Sequence, residues 1–166
     1  MILRPAVPGD AEALLALYRP IVLETAISFE IDPPSVQEFR RRIEATIARW
    51  VWLVAEVDSR PVGYAYAGSH RARAAYRWSV ETSICVGAEY RGRGHGTALY
   101  EALLDAAATR GYCNAYAAIA LPNDASIRLH RRVGFEHVGV FRNVGRKFGR
   151  WHDVSWWQRK LRDEPP

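Results

Sequence analysis

The sequence predicts an α/β or α+β fold in which helices cover both faces of a mixed central β-sheet. Three observations lead to this prediction. Two helical segments precede a series of adjoining β-rich segments, a strand–helix–strand crossover occupies the second half, and two further β-rich segments close the chain. With 166 residues, of which 49% are hydrophobic and 25% are charged, the chain is expected to form a single domain over residues 1–166.

Two helices are predicted in the first half. The first covers residues 11–24, places several leucines on one face and has Asp10 as its expected cap. The second follows Ser35, whose spacing to Glu38 is that of a capping box, and extends to about Arg49.

The second half contains two more predicted helices. An Ala/Leu-rich amphipathic segment covers residues 97–110 and ends at Gly111, a residue that commonly terminates helices. A shorter helix opens after Pro122, with Asp124 as the expected cap, and extends to Val133 before Gly134.

Seven strands are predicted from apolar or alternating runs bounded by turn-forming residues. They cover residues 2–6, 50–57, 62–69, 78–86, 112–121, 135–142 and 154–161. The segment 151–153 is expected to fix the last hairpin.

Composition excludes several classes of protein. No run approaches the roughly 18 apolar residues that a membrane span requires, and the N-terminus lacks the features of a secretory signal, so a cytoplasmic location is expected. The two cysteines, Cys85 and Cys113, lie apart in apolar segments, which favours buried thiols over a metal site. The net charge of +5 favours an anionic ligand without identifying it.

The strongest chemical signal is the turn Arg-Gly-Arg-Gly-His-Gly at residues 91–96, which joins a predicted strand to a helix. Free amides at a helix start, the helix dipole and glycines without side chains together form a site for phosphate groups. Arginine guanidinium groups suit phosphate oxygens. The spacing fits neither the Gly-x-Gly-x-x-Gly of a dinucleotide fold nor the Gly-Lys-Ser/Thr of a Walker loop. A bound pyrophosphate is therefore predicted.

Eight ordered motifs extend this signal over most of the chain. They include Ser-Phe-Glu at 28–30, Val-Glu-x-Ser-Ile-x-Val at 80–86, Leu-Pro-Asn-Asp at 121–124 and Gly-x-Trp-His-Asp-Val at 149–154. With the glycine-rich turn, these motifs resemble those of the GNAT N-acetyltransferases, in particular the phosphinothricin and methionine sulfoximine/sulfone acetyltransferases.

The resemblance implies a GNAT fold with two splayed parallel strands, acetyl-CoA as cosubstrate without a metal, and a homodimer. It also implies that acetyl-CoA lies between the splayed strands, with the main chain of residues 84–86 along its pantetheine arm. The implied cofactor contacts are Ile84, Cys85, Val86, Arg91, Gly92, Arg93, Gly94, His95, Gly96, Thr97 and Asn123. Asn123 has an alternative role as a turn residue ahead of the helix.

The chemistry implied by the resemblance is acetyl transfer to the amino group of a small amino acid. An ammonium has no lone pair, so a general base is needed, and Glu81 is the candidate because it interrupts an apolar strand where burial would raise its pKa. Its alternative is an ion pair with a nearby arginine. His130 is the candidate for protonating the departing thiolate or relaying a proton, its alternative being a surface or capping role.

The resemblance further implies that Arg71 and Arg73 hold the anionic end of the acceptor and that Phe29 and Tyr76 line its pocket. Solvated charge and core packing are the respective alternatives. Other acceptors, namely a protein N-terminus or a polyamine, stay open, although the basic loop disfavours a cationic polyamine. A nucleic-acid-binding module is disfavoured because the arginines are scattered along the chain.

Overall fold

The computed structural model describes residues Met1 to Pro166. The helices are α1 (Ala11–Glu24), α2 (Val36–Ile47), α3 (His95–Thr109) and α4 (Asp124–Arg132). The strands are β1 (Ile2–Pro5), β2 (Val51–Val57), β3 (Arg60–Ser69), β4 (Ser79–Val86), β5 (Asn114–Ala120), β6 (Glu136–Lys147) and β7 (Arg150–Lys160). Every predicted element is present.

The seven strands form one sheet in the order β1-β2-β3-β4-β5-β7-β6. All neighbouring pairs are antiparallel except β4 and β5, which are parallel and joined by the crossover through α3. The predicted mixed sheet is therefore confirmed.

Helices cover both faces of this sheet, as the sequence predicts. Leu14 and Leu15 of α1 pack with Phe39 and Ile43 of α2 against one face. On the opposite face, α3 contributes the buried Leu99, Tyr100, Leu103 and Leu104 to a second apolar cluster. Because side chains alternate along a strand, consecutive residues of β4 project into these two different clusters.

Neither Asp10 nor Asp124 caps its helix through its side chain, although Asp10 occupies the predicted N-cap position of α1. The Asp10 side chain makes no cap bond; its carboxylate accepts hydrogen bonds from Arg4 at 2.7 and 2.8 Å and from the amide of Val7 at 2.8 Å. At α4 the cap is Asn123, not Asp124, since Asn123 Oδ1 accepts from the amide of Ser126 at 3.1 Å. The contacts with Arg4 and Val7 therefore replace a cap bond at Asp10, whereas at α4 the preceding residue makes the cap bond.

The cap of α2 is confirmed, because the Ser35 hydroxyl accepts from the amide of Glu38 at 3.1 Å. The Glu38 carboxylate pairs with Arg41 and Arg42 instead of completing the capping box. Helix α3 begins at His95, two residues before the predicted start. The last hairpin is longer than predicted, with β6 continuing to Lys147 and the turn at residues 148–149.

Candidate active site

The parallel strands β4 and β5 diverge at the centre of the sheet. Their register covers three pairs, Ser79–Asn114, Val80–Ala115 and Glu81–Tyr116, whereas β4 continues to pair with β3 up to Val86. The edge of β4 that faces β5 is therefore unpaired beyond Glu81. This is the splayed geometry that the resemblance implies.

Two adjoining cavities occupy the divergence. The helix-side cavity, of about 480 Å³, lies between the sheet and α1–α2, and the loop-side cavity, of about 390 Å³, lies beside the glycine-rich turn. Both are lined by Ile84, Cys85, Asn123 and Ser126. A continuous cleft therefore runs from the turn through the splayed strands to the space under α1 and α2.

The glycine-rich turn has the backbone of an anion site. Gly92 and Gly94 have φ angles of +74° and +85°, which other residues adopt at a cost, and Gly94 occupies the position before α3. The first helical hydrogen bond runs from the amide of Ala98 to the carbonyl of Gly94. The three amides before Ala98 in the helix have no helical acceptor and are free to bind an anion.

The arginines around this turn are arranged differently from the expectation. Arg91 lines the loop-side cavity, and its Nε donates to the carbonyl of Val86 at 3.0 Å, so that carbonyl is occupied within the protein. Arg93 lies over the ring of Tyr90 at 6.0 Å. Two cavity arginines, Arg128 and Arg132, were missed by sequence reasoning, although their spacing of four places them on one face of α4.

Asn123 lies where the two cavities meet. Since its Oδ1 is engaged by the Ser126 amide, Nδ2 is the side-chain atom left to bind a ligand. The capping role and a cofactor contact are compatible in this geometry.

His130 is buried, with 4% of its surface exposed, and both ring nitrogens have partners. Nδ1 lies 2.8 Å from the carbonyl of Ser126, and Nε2 lies 2.9 Å from the hydroxyl of Tyr100. Tyr100 in turn lies 2.6 Å from the Thr82 hydroxyl, which lies 3.1 Å from the carbonyl of Tyr116. No local sequence pattern indicates this chain of contacts, because it joins four elements, α4, α3, β4 and β5.

The protons in this chain can be counted. Burial lowers the pKa of His130, which favours a neutral ring whose Nδ1–H donates to Ser126 and whose Nε2 accepts from Tyr100. The Thr82 hydroxyl then has one proton, but both the Tyr100 oxygen and the Tyr116 carbonyl need it as a donor. If Nε2 of His130 gained a proton, it would donate to Tyr100, Tyr100 would donate to Thr82, and Thr82 would donate to Tyr116. The chain can therefore take up one proton while all four hydrogen bonds are kept.

Glu81 lies on the α1–α2 side of the sheet. Ser83 and Cys85 lie on the same side, because residues two and four positions apart in a strand share a face. Its side chain is 35% exposed and lies at the rim of the cleft, not inside the strand's buried run. Oε2 lies 3.5 Å from His70 Nδ1 and 3.9 Å from Arg71 Nη1. Ser83 lines the helix-side cavity about 7 Å further along the strand.

The remaining predicted acceptor residues lie outside both cavities. Arg71 and Arg73 are exposed in the loop before β4, and Arg71 lies 5.7 Å from the ring of Trp156. Tyr76 is 42% exposed and approaches His70 edge-on. Phe29 is 36% exposed and packs near His152.

Glu30, a lesser alternative to His130 from the sequence, belongs to a polar group at the helix-side cavity whose other members, Tyr18 and Arg42, sequence reasoning missed. Tyr18 donates to Glu30 at 2.7 Å and contacts Ser28 at 2.6 Å, and Arg42 pairs with Glu30 at 2.7 Å. Burial alone would raise the pKa of Glu30, but the hydrogen bonds from Arg42 and Tyr18 outweigh it and lower the pKa. A charged carboxylate thus holds Tyr18 and Arg42, which line the cavity together with Ser28.

Lys147 anchors the segment that carries this group. The side chain is buried, and Nζ donates to the carbonyls of Val22 at 2.6 Å and Ser28 at 2.7 Å. The tip of the last hairpin is thereby tied to the end of α1 and to the loop that follows it.

Both cysteines are buried, as predicted, and burial raises the pKa of Cys85 to about 12. The protein contains no group of three or more His, Cys, Asp or Glu side chains placed to bind a metal ion. No helix is both long and apolar enough to cross a bilayer.

Comparison with known proteins agrees with this geometry. Residues 3–156 match the family model described as the acetyltransferase (GNAT) domain. The chain is 41% identical to a phosphinothricin N-acetyltransferase of Streptomyces coelicolor, covering 95% of each chain. It is 34% identical to an L-methionine sulfoximine/L-methionine sulfone acetyltransferase of Pseudomonas paraeruginosa, covering 96% of this chain and 94% of that protein.

A solved structure has the same fold. It is a phosphinothricin acetyltransferase from Sinorhizobium meliloti in complex with acetyl-CoA, with a TM-score of 0.95 and 36% identity. The match covers 99% of this chain and 92% of that one.

Proposed function

The chain belongs to the GNAT acetyltransferase family, and from this premise we propose that it acetylates the amino group of a small amino acid of the phosphinothricin, methionine sulfoximine or methionine sulfone type. It is an N-acetyltransferase that uses acetyl-CoA. The observation that carries the choice of acceptor is the continuous cleft, which joins the glycine-rich turn to a cavity of about 480 Å³ where Tyr18, Ser28 and Arg42 provide polar groups among mainly apolar lining residues.

The residues present fit the cosubstrate. The free amides at the start of α3 suit its pyrophosphate, and Arg91, Arg128 and Arg132 place positive charge in the same cavity. The unpaired edge of β4 offers main-chain groups at Ile84 to the pantetheine arm, while Asn123 Nδ2 offers a donor at the junction. Acetyl-CoA supplies an acetyl group already activated as a thioester.

Glu81 serves in this proposal as the general base for the acceptor. It removes a proton from the ammonium, directly or through a water, so that the nitrogen has a lone pair. The position of Glu81 on the same strand face as Ser83 supports this role, since Ser83 lines the helix-side cavity.

The chain of His130, Tyr100 and Thr82 serves as the proton carrier near the sulfur. His130 and Thr82 line the helix-side cavity, and Tyr100 connects them from behind. Burial raises the pKa of Tyr100, which keeps its hydroxyl protonated and able to donate. Because this hydrogen-bond chain can take up one further proton, we favour a proton relay through it over direct protonation of the sulfur by the His130 ring.

Arg71 and Arg73 are proposed to attract the anionic end of the acceptor, and Phe29 and Tyr76 to border its entry. Their exposure in this single chain is consistent with a site that a second copy completes. We accordingly propose a homodimer; the cytoplasmic location stays a prediction from the sequence.

The experiment is a thiol-release assay with acetyl-CoA and a panel of acceptors. The panel contains phosphinothricin, methionine sulfoximine, methionine sulfone, common amino acids, a peptide with a free N-terminus and a polyamine. We expect release to be fastest with one of the first three. Faster release with the peptide would favour a protein acceptor, and absence of release with every amine would overturn the proposed function.

A further inference from the structure

His70, which follows β3, is held in an aromatic cage formed by Tyr76, Tyr116 and Trp156. Its ring stacks on Tyr116 with centroids 4.5 Å apart and 15° between the planes. Tyr76 and Trp156 approach edge-on at 5.8 and 6.1 Å. Rings from a turn and from two strands thus fix the imidazole, and its side chain is 12% exposed.

The polar contact of this ring is with the carboxylate of Glu81. His70 Nδ1 is shielded from solvent and has no hydrogen-bond partner of good geometry, yet Glu81 Oε2 lies only 3.5 Å away. A shift of about half an ångström would bring the two atoms to ordinary hydrogen-bond distance. A buried donor without an acceptor is costly, so closure of this contact is favoured.

The other cation near Glu81 is less constrained. Arg71 Nη1 lies 3.9 Å from the same oxygen, but half of the Arg71 side chain is exposed and it also donates to the His70 carbonyl. An exposed ion pair at this distance contributes little. The caged imidazole is therefore the partner that can fix the orientation of the carboxylate.

We propose that His70 is a positioning residue that holds Glu81 through Nδ1 and thereby aims its other oxygen at the acceptor amine. The inference rests on the proposed role of Glu81 as the general base. With Nδ1–H directed to the carboxylate, the ring has a fixed tautomer, and any proton it gains places a positive charge beside the base.

The test uses two substitutions of the caged ring. His70→Phe keeps the stack on Tyr116 and removes both nitrogens, while His70→Gln keeps a polar group. We expect His70→Phe to lower kcat about 10-fold while leaving the KM for acetyl-CoA unchanged. His70→Gln should recover part of the rate, and thermal melting should show that both variants fold.

A double-mutant cycle separates positioning from structural damage. In a Glu81→Gln background, His70→Phe should have little further effect, because the group that it positions is gone. An equal loss of kcat in both backgrounds, or a wild-type kcat in His70→Phe, would overturn the proposal. If Glu81→Gln itself retains full activity, the proposed base is wrong, which is a separate outcome.

Discussion

Glu81 illustrates how the chemistry of a single residue depends on its setting. Its neighbours Val80 and Thr82 are buried, but the Glu81 carboxylate reaches the rim of the cleft, where it lies near His70 and Arg71. The alternative for this residue was an ion pair with an arginine. That ion pair is compatible with the role of base, since a base must be held in place before it can act.

Glu81→Gln tests this residue directly. The amide has nearly the same shape but cannot take a proton at neutral pH, so kcat should fall by about 10²-fold or more. The KM for acetyl-CoA should stay unchanged, because Glu81 lines neither cavity. Steady-state kinetics across pH would check both, and an unaltered pH–rate profile would reject Glu81 as the base.

His130 should contribute to acid sensitivity. Its pKa is lowered by burial, so the unfolded chain binds a proton near pH 6.5 while the folded chain does so only at a lower pH. The free energy of unfolding should therefore fall as the pH drops below about 6.5, by at most about 1.4 kcal/mol per pH unit from this group.

The measurement is urea unfolding between pH 5 and pH 7. His130→Gln should be less stable at pH 7, since it disrupts the contacts with Tyr100 and Ser126, but its stability should change less with pH. His137→Gln, at an exposed position on β6, is the matched control. Equal slopes in wild type and His130→Gln would contradict the prediction.

The start of α3 shows, at the scale of an element, that two glycines of one turn have different functions. Gly94 has a φ of +85°, so a side chain there strains the backbone even though nothing lies within 4 Å. Gly96 has an ordinary φ, and an added Cβ would meet Leu129, Val86 and Ile84 at 3.5 to 3.8 Å, which is normal contact. One glycine shapes the turn and the other leaves space in the cavity.

Alanine substitutions should separate these functions. Gly94→Ala should lower stability by about 1–2 kcal/mol and weaken acetyl-CoA binding. Gly96→Ala should leave the melting temperature unchanged or slightly higher, because alanine favours the helix, while raising the Kd for acetyl-CoA about 10-fold. Gly9→Ala, in an open position far from the turn, is the control. Wild-type affinity in Gly96→Ala, measured by calorimetry, would argue against cosubstrate binding at this turn.

Element-level features were predictable where they depend on local sequence. Hydrophobic periodicity and turn residues predict all four helices and all seven strands, and the residues of the glycine-rich turn indicate its chemistry by themselves. The side-chain cap bonds expected from Asp10 and Asp124 do not form, because capping depends on which side chain wins a local competition. The contacts of His70 with Glu81, and of His130 with Tyr100, join residues distant in the chain, so no local pattern reveals them.

At the scale of the whole molecule, one sheet serves two apolar clusters. Strand residues of alternating direction contribute to the α1–α2 cluster and to the α3 cluster. Removal of these strands would expose apolar side chains of both clusters, which supports our proposal that residues 1–166 are a single domain.

The last hairpin is the part of this single domain that lacks a partner. Strand β6 is a 12-residue edge strand, and the hairpin exposes large apolar side chains. They are Val138, Val140, Phe141, Val144, Phe148 and Trp151, each at least 41% exposed. Long apolar edge strands tend to pair with a strand of another chain, and exposed apolar patches of this kind are typical of protein–protein interfaces. We expect the proposed homodimer to form through this hairpin.

Substitution of two hairpin residues tests this surface. Phe141→Lys combined with Trp151→Lys places charge at side chains that are 52% and 59% exposed, so the fold should be kept while association is lost. Light scattering should give a mass near twice 18.8 kDa for wild type and near 18.8 kDa for the double variant. Ile2→Lys, at the opposite edge of the sheet and 66% exposed, should leave the dimer intact. A monomeric wild type would refute the dimer, and a double variant that still dimerises would place the interface elsewhere.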